Sequence, residues 1–180
     1  MSAAHAVAAI ALAGVLVRFM IGATAAFRPA PGEPPSPLTI FMTIAALVLA
    51  LHVGRTPIGL WQAVAGLAGL AASLGLYEWA KRTIRGRFFS YIFSSDVPDF
   101  VCTSGPYAYI RNPFYLSYLV AYASAVVMTP DVVTGGVLVV MTIYFWSAAR
   151  FEERKFTVSE RAEEYEAYRR RTGRFVPRFR

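Results

Sequence analysis

The sequence predicts an all-α integral membrane protein with about five transmembrane helices. Apolar residues make up 56% of the 180 residues and charged residues only 16%, against roughly 25% charged residues in an average soluble domain. The mean hydropathy is +0.45. The apolar residues lie in runs long enough to cross about 30 Å of hydrocarbon. No internal repeat is visible, so we expect a single membrane domain over residues 1–180.

The first apolar run covers residues 3–27 and contains one charged residue, Arg18. A cleaved signal peptide is the alternative interpretation, because Ala23, Ala25 and Ala26 resemble a small-residue cleavage site. We favour an uncleaved segment that stays in the mature protein, since no basic segment precedes the apolar run and the run is longer than the apolar core of a signal peptide. We therefore expect a first transmembrane span here.

Four further apolar runs follow. Five prolines between residues 28 and 37 end the first span, because proline cannot continue a helix. Spans two and three are predicted at 38–53 and 58–80, and small residues in the third favour close helix packing. Spans four and five, at 114–128 and 132–149, are separated only by Thr129-Pro130-Asp131, which predicts a short helical hairpin.

The distribution of Lys and Arg predicts the orientation. Sixteen of these residues lie in the first connector, the segment 81–113 and the tail from Arg150, whereas Arg55 stands alone on the other side. Basic residues concentrate on the cytosolic side of membrane proteins, so we expect the N-terminus outside and the C-terminus in the cytosol. The net charge of +7 therefore indicates topology and attraction to anionic lipid rather than nucleic-acid binding.

The charged tail is predicted to form an amphipathic helix. Thr157 and Glu160 have the spacing of a capping box, which predicts a helix start at Thr157, and Gly173 is placed to end the helix. Tyr165 and Tyr168 fall close to one face of it. A helix that simply rests on anionic lipid is the alternative interpretation.

Two polar clusters meet if spans four and five are antiparallel. Residues 105–115 precede span four and residues 152–154 follow span five, so a hairpin returns both to the same depth. Pro113 in the first helical turn leaves backbone N–H donors free for an anion. The carboxylates of Glu152 and Glu153 suit hydroxyl groups or amines. A ligand with both kinds of group is a zwitterion joined to a nucleoside. The alternative interpretation is structural: surface ion pairs for the glutamates and interfacial anchoring for the tyrosines.

Four ordered blocks carry a resemblance to a known family: residues 86–88, 103–115, 152–154 and 164–168, the last leading to 175–178. In these blocks the chain resembles the isoprenylcysteine carboxyl methyltransferase and phospholipid methyltransferase superfamily of integral membrane enzymes. The resemblance implies that residues 86–178 bind S-adenosylmethionine on the cytosolic side. It implies these cofactor-binding residues: Tyr107, Tyr109, Arg111, Asn112, Pro113, Tyr115, Glu152, Glu153, Tyr165 and Tyr168. No catalytic residue is assigned and no metal is expected.

One position departs from the family pattern. The family usually has Arg-His-Pro where this chain has Arg111-Asn112-Pro113. Asparagine can hold a ligand by hydrogen bonds but cannot titrate, so a cofactor-binding role survives and a proton-transfer role does not. The resemblance also implies that the methyl acceptor is a lipid or a lipophilic molecule from the bilayer. A carboxylate is a suitable accepting group, because it is already a nucleophile. Two alternatives stay open: a nicotinamide-dependent reductase related to the membrane sterol reductases, and a non-catalytic membrane protein. The sequence indicates no oligomeric state.

Overall fold

The computed structural model describes residues 3–26, 37–84 and 100–179, and these residues form six α-helices without a β-strand. The predicted all-α membrane class is thereby confirmed. The proline-rich connector and the block at residues 86–88 lie outside the described residues. The helices are α1 (Ala3–Ala26), α2 (Pro37–Arg55), α3 (Leu60–Thr83), α4 (Pro113–Met128), α5 (Val132–Thr157) and α6 (Ala162–Arg171), and a 3₁₀ turn covers Gly105–Ala108.

Five of the helices are apolar. By length and composition α1, α3 and α5 are able to cross a membrane, and α2 and α4 are apolar but shorter. Large apolar side chains of these helices are exposed, among them Ile10, Leu60 and Val132. Such a surface requires a hydrocarbon environment, since soluble monomers rarely expose contiguous apolar patches of this kind. The protein is therefore an integral membrane protein.

The ends of the hairpin helices follow from local sequence. Pro113 is the first residue of α4, a position where the missing N–H costs no hydrogen bond. Asp131 precedes α5, and its Oδ1 accepts hydrogen bonds from the backbone N–H groups of Val133 (2.9 Å) and Thr134 (3.1 Å). This N-cap satisfies two of the donors that every helix start leaves free.

Helix α3 packs closely on α4 because small residues line their contact. A Cβ atom added at Gly66 would lie 2.4 Å from the Met128 side chain, and one added at Gly69 would lie 2.3 Å from the Ser124 hydroxyl. The Ser73 hydroxyl donates a hydrogen bond of 2.6 Å to the carbonyl of Ser117. Of the small residues predicted for close packing in this span, Gly66, Gly69 and Ser73 therefore lie at the contact with α4, whereas a Cβ atom added at Gly75 would meet no atom within 4 Å.

The start of α6 differs from the prediction. Thr157 does not cap a new helix but is the last residue of α5, which continues for about two turns beyond Ala149. The Thr157 hydroxyl donates to the carbonyl of Arg154 at 2.7 Å, so it bonds back into α5 instead of forward. Helix α6 begins at Ala162 and ends at Arg171, two residues before Gly173. The capping-box prediction was wrong because the two helices are separated by a short turn.

Candidate functional site

The two polar clusters meet at the end of the α4–α5 hairpin, as predicted. The Arg111 Nε donates to Glu153 Oε1 at 3.2 Å, and the Asn112 Nδ2 donates to the same oxygen at 3.2 Å. The Arg111 Nη1 also donates to the carbonyls of Arg169 (3.1 Å) and Thr172. The loop before α4 is therefore tied both to α5 and to the tail.

Glu153 is the centre of this arrangement. It is 6% exposed and also receives Arg174, whose Nε lies 3.0 Å from Oε1 and whose Nη2 lies 2.8 Å from Oε2. A buried carboxylate needs such compensation, because burying an unpaired charge is costly. With four donors on its two oxygens, Glu153 positions Arg111, Asn112 and Arg174 with respect to one another.

Glu152 has a different environment. Its Oε1 accepts a hydrogen bond of 2.8 Å from the Tyr115 hydroxyl, and Tyr115 is stacked on Phe145 with ring centroids 5.3 Å apart. No arginine of the described residues forms an ion pair with Glu152. Its carboxylate therefore retains more capacity to accept hydrogen bonds from a ligand than that of Glu153.

The C-terminal segment forms one wall of the site. Ile110 and Gly173 form an isolated parallel bridge, in which the Arg111 N–H donates to the Gly173 carbonyl at 2.8 Å and the Gly173 N–H donates to the Tyr109 carbonyl at 3.1 Å. A Cβ atom at position 173 would lie 1.7 Å from the carbonyl oxygen of Val176. Only glycine allows this backbone approach.

Helix α6 covers the site. The Tyr168 hydroxyl donates to the carbonyl of Tyr107 at 2.8 Å, and the Tyr165 ring is stacked on Phe156 with centroids 4.4 Å apart. Burial raises the pKa of Tyr107, Tyr165 and Tyr168 well above the usual tyrosine range. These phenols therefore stay neutral near pH 7 and act as hydrogen-bond donors and apolar surface.

These elements enclose a cavity of about 50 Å³. The residues that line it are Phe100, Val101, Cys102, Tyr107, Arg111, Asn112, Glu152, Glu153, Phe156, Tyr165 and Tyr168. Its volume has room for a few water molecules only. Within the described ranges, no group of three or more His, Cys, Asp or Glu side chains could hold a metal ion.

Seven of the ten predicted site residues line this cavity. Of the other three, Tyr115 donates a hydrogen bond to Glu152, and Pro113 begins α4. Tyr109 lies elsewhere: it is 40% exposed and its ring contacts Phe179 at 5.4 Å between centroids. The structure therefore supports a cavity position for the predicted set except at these three residues.

The site also includes five residues that were not predicted from the sequence: Phe100, Val101, Cys102, Phe156 and Arg174. Phe156 was identifiable, because it follows Glu152 and Glu153 by four and three residues and so shares their face of α5. No sequence signal distinguished Arg174 from the other basic residues of the tail.

One of three comparisons with known proteins identifies a family. A family model described as phospholipid methyltransferase matches residues 61–160. The match covers more than half of the chain and includes α3, the 3₁₀ turn, α4 and α5, and it ends just before α6. No curated protein and no solved structure shows a significant match. The chain belongs to the phospholipid methyltransferase family of integral membrane proteins.

Proposed function

We propose that the protein transfers a methyl group from S-adenosylmethionine to a lipid or lipophilic acceptor that reaches the site from the bilayer. One observation carries the proposal: within the stretch that the family model matches, Arg111 and Asn112 lie in one cavity with Glu152. A basic and an acidic group that line the same small cavity suit a ligand that carries both charges.

The side chains that line the cavity have the chemical groups that S-adenosylmethionine requires. The Arg111 Nη2 has no hydrogen-bond partner among the described residues and is available to a ligand carboxylate. Glu152 can accept hydrogen bonds from an amine or from ribose hydroxyls. The aromatic faces of Tyr107, Phe156 and Tyr165 can contact a sulfonium by cation–π interaction. Apart from Tyr109, we propose that the predicted cofactor-binding residues bind it or support the residues that do.

The cavity of about 50 Å³ leaves S-adenosylmethionine little room while α6 is closed. We therefore propose that α6, whose Tyr165 and Tyr168 line the cavity, is a lid that moves outward for binding. When the lid returns, it excludes water from the reacting groups. The family match ends at residue 160, so α6 (Ala162–Arg171) lies outside the matched residues.

When bound, S-adenosylmethionine supplies an electrophilic methyl group on a sulfonium. The chain's residues align the partners and exclude water, and they need not move a proton. Asn112 cannot titrate, and burial raises the pKa of the neighbouring Tyr107 and Tyr165 phenols, which makes them still harder to deprotonate. A carboxylate acceptor fits best, because it is already a nucleophile and requires no general base.

The placement of the site at the end of two apolar helices favours lateral entry of the acceptor. Helices α4 and α5 lead from the bilayer to Tyr115 and Glu152. The basic tail favours a cytosolic position for this end and an outside position for the N-terminus. The whole chain then acts as a single membrane domain.

Calorimetric titration of the purified protein tests the proposal. We expect S-adenosylmethionine to bind and Glu152→Gln to weaken binding about tenfold or more, because a hydrogen-bond-accepting oxygen of the carboxyl group is replaced by an amide donor. Glu164→Gln is the matched control, since Glu164 is exposed and pairs with Arg161. Binding of NADPH in place of S-adenosylmethionine, or unchanged affinity in Glu152→Gln, would contradict the proposal.

A further inference from the structure

A second cavity, of about 210 Å³, lies between the cytosolic end of α5, helix α6 and the C-terminal segment. Four arginines line it together with Glu153 and Thr157: Arg150, Arg154, Arg169 and Arg174. Two of these arginines, Arg169 and Arg174, lie beyond the residues that the family model matches. The cavity is therefore partly built by the tail of this chain.

Positive charge exceeds negative charge in this cavity. Glu153 is already engaged by Arg111 and Arg174, and Arg169 pairs with Glu166. Arg150 and Arg154 lie one turn apart on α5, and neither side chain forms a hydrogen bond or ion pair with any residue that the structure describes. Two guanidinium groups thus face an open cavity without an internal counterion.

The cavity also holds one arginine in a fixed orientation. Arg174 donates two hydrogen bonds to Glu153, and its guanidinium carbon lies 4.6 Å from the centre of the Trp146 ring. The hydrogen bonds that Arg174 donates to Glu153 raise the pKa of Arg174 further above its usual range. A planar, permanently charged guanidinium is the side chain best suited to the oxygens of a phosphate group.

The depth of the cavity places it at the membrane surface. The uncharged run of α5 ends at Ala149, and Arg150 is the first charged residue after it. Trp146 and Phe151, on either side of this boundary, are 46% and 41% exposed. Tryptophan is common at the level of lipid headgroups, so the arginines project into the layer where lipid phosphates lie.

From this geometry we propose that the arginine cavity binds the phosphate group of an anionic phospholipid. The lipid is a ligand in its own right and not the methyl acceptor, and the proposal does not depend on methyl transfer. The bound phosphate contacts Arg150 and Arg154 of α5 and Arg169 of α6. It thereby joins the helix that carries the carboxylates to the helix that covers them.

Native mass spectrometry of the full chain in nanodiscs tests this proposal. The probe is phosphatidylglycerol in a phosphatidylcholine background, and the variant is Arg150→Gln with Arg154→Gln. We expect the variant to retain about tenfold less phosphatidylglycerol than the wild type. The control is Arg170→Gln with Arg171→Gln, which removes the same charge from exposed positions of α6 outside the cavity. It is expected to change retention by no more than about twofold.

Three outcomes would overturn the proposal. Equal losses in the variant and the control would show general attraction of the basic tail to anionic lipid. Unchanged retention in the variant would show that these arginines bind no lipid. Inorganic phosphate that binds as tightly as phosphatidylglycerol would identify a soluble anion as the ligand. Calorimetric titration with S-adenosylmethionine on the same samples separates these results from the proposed function, because the variant is expected to bind it normally.

Discussion

The hydroxyl of Tyr168 in α6 donates a hydrogen bond of 2.8 Å to the backbone carbonyl of Tyr107 in the 3₁₀ turn. Both residues are buried, and 61 positions of the chain separate them. This hydrogen bond fastens the covering helix to the loop that leads into α4. Opening of the cavity must break it.

Removal of this hydrogen bond should loosen the lid. Tyr168→Phe keeps the ring and deletes the donor, which leaves the Tyr107 carbonyl without this partner and costs about 1 kcal/mol. We expect amide hydrogen exchange in α6 to become about fivefold faster. Tyr109→Phe is the matched control, because Tyr109 is half exposed and lies outside the cavity. Equal acceleration in both variants would contradict the assignment.

Replacement of the central carboxylate should destabilise the end of the molecule that carries the site. Glu153→Gln leaves Arg111 and Arg174 without their shared counterion, and we expect a loss of about 3 kcal/mol in the free energy of unfolding. Titration with sodium dodecyl sulfate measures it. Glu164→Gln, which removes an exposed partner, should cost no more than about 0.5 kcal/mol. Similar values for the two variants would mean that Glu153 is not the centre of the site.

Acid should weaken the cap of α5. A hydrogen bond with His52, 2.6 Å from the Asp131 Oδ2, holds the pKa of Asp131 below its usual range. The folded state therefore favours the charged form of Asp131. The stabilisation that this carboxylate provides is complete above the pKa that Asp131 has in the unfolded chain, and it is lost as the pH falls through the pKa that Asp131 has in the folded protein. We expect thermal unfolding between pH 2 and pH 5 to show this loss in the wild type. Asp131→Asn, which keeps a capping oxygen, should show a smaller loss. Identical profiles would contradict the role of this residue.

Removal of the lid should abolish methyl transfer and leave the membrane helices in place. A chain ending at Ser159 retains all of α5 but loses Tyr165, Tyr168 and Arg174. We expect no transfer of labelled methyl groups to lipids extracted from membranes, because water is no longer excluded from the site. Insertion is checked by alkaline extraction of membranes. Continued methylation by the truncated chain, or acceptors that are all water-soluble, would contradict both the lid and lateral entry.

The orientation can be tested with reporter fusions. Basic residues are concentrated at the end of the molecule that carries the site, so a reporter after residue 180 should lie in the cytosol and one inserted at Thr129 should lie outside. The second position falls in the turn between α4 and α5. The reverse result at either position would overturn the proposed topology.

The sequence allowed the membrane helices and the hairpin contact to be predicted because both depend on short-range information. Apolar runs define helices, and two antiparallel helices with a tight turn must return Asn112 and Glu153 to the same level. The start of α6 was missed because a Thr and a Glu at capping-box spacing also occur at the end of a helix, as Thr157 shows. Which of ten basic tail residues pairs with Glu153 depends on the path of the C-terminal segment. That path is fixed by contacts across more than 60 residues, such as the bridge between Ile110 and Gly173.

That bridge has a consequence for the order of folding. Its two strands of backbone are separated in the chain by both helices of the hairpin and by α6. The tail can find its place only after the hairpin has inserted, because before insertion the position beside Ile110 does not yet exist. Proteins fold from the N-terminus as synthesis proceeds, and the segment around Gly173, which is made after the hairpin and α6, is here among the parts that complete the site. A newly made molecule would thus pass through a stage in which it is inserted in the membrane but inactive.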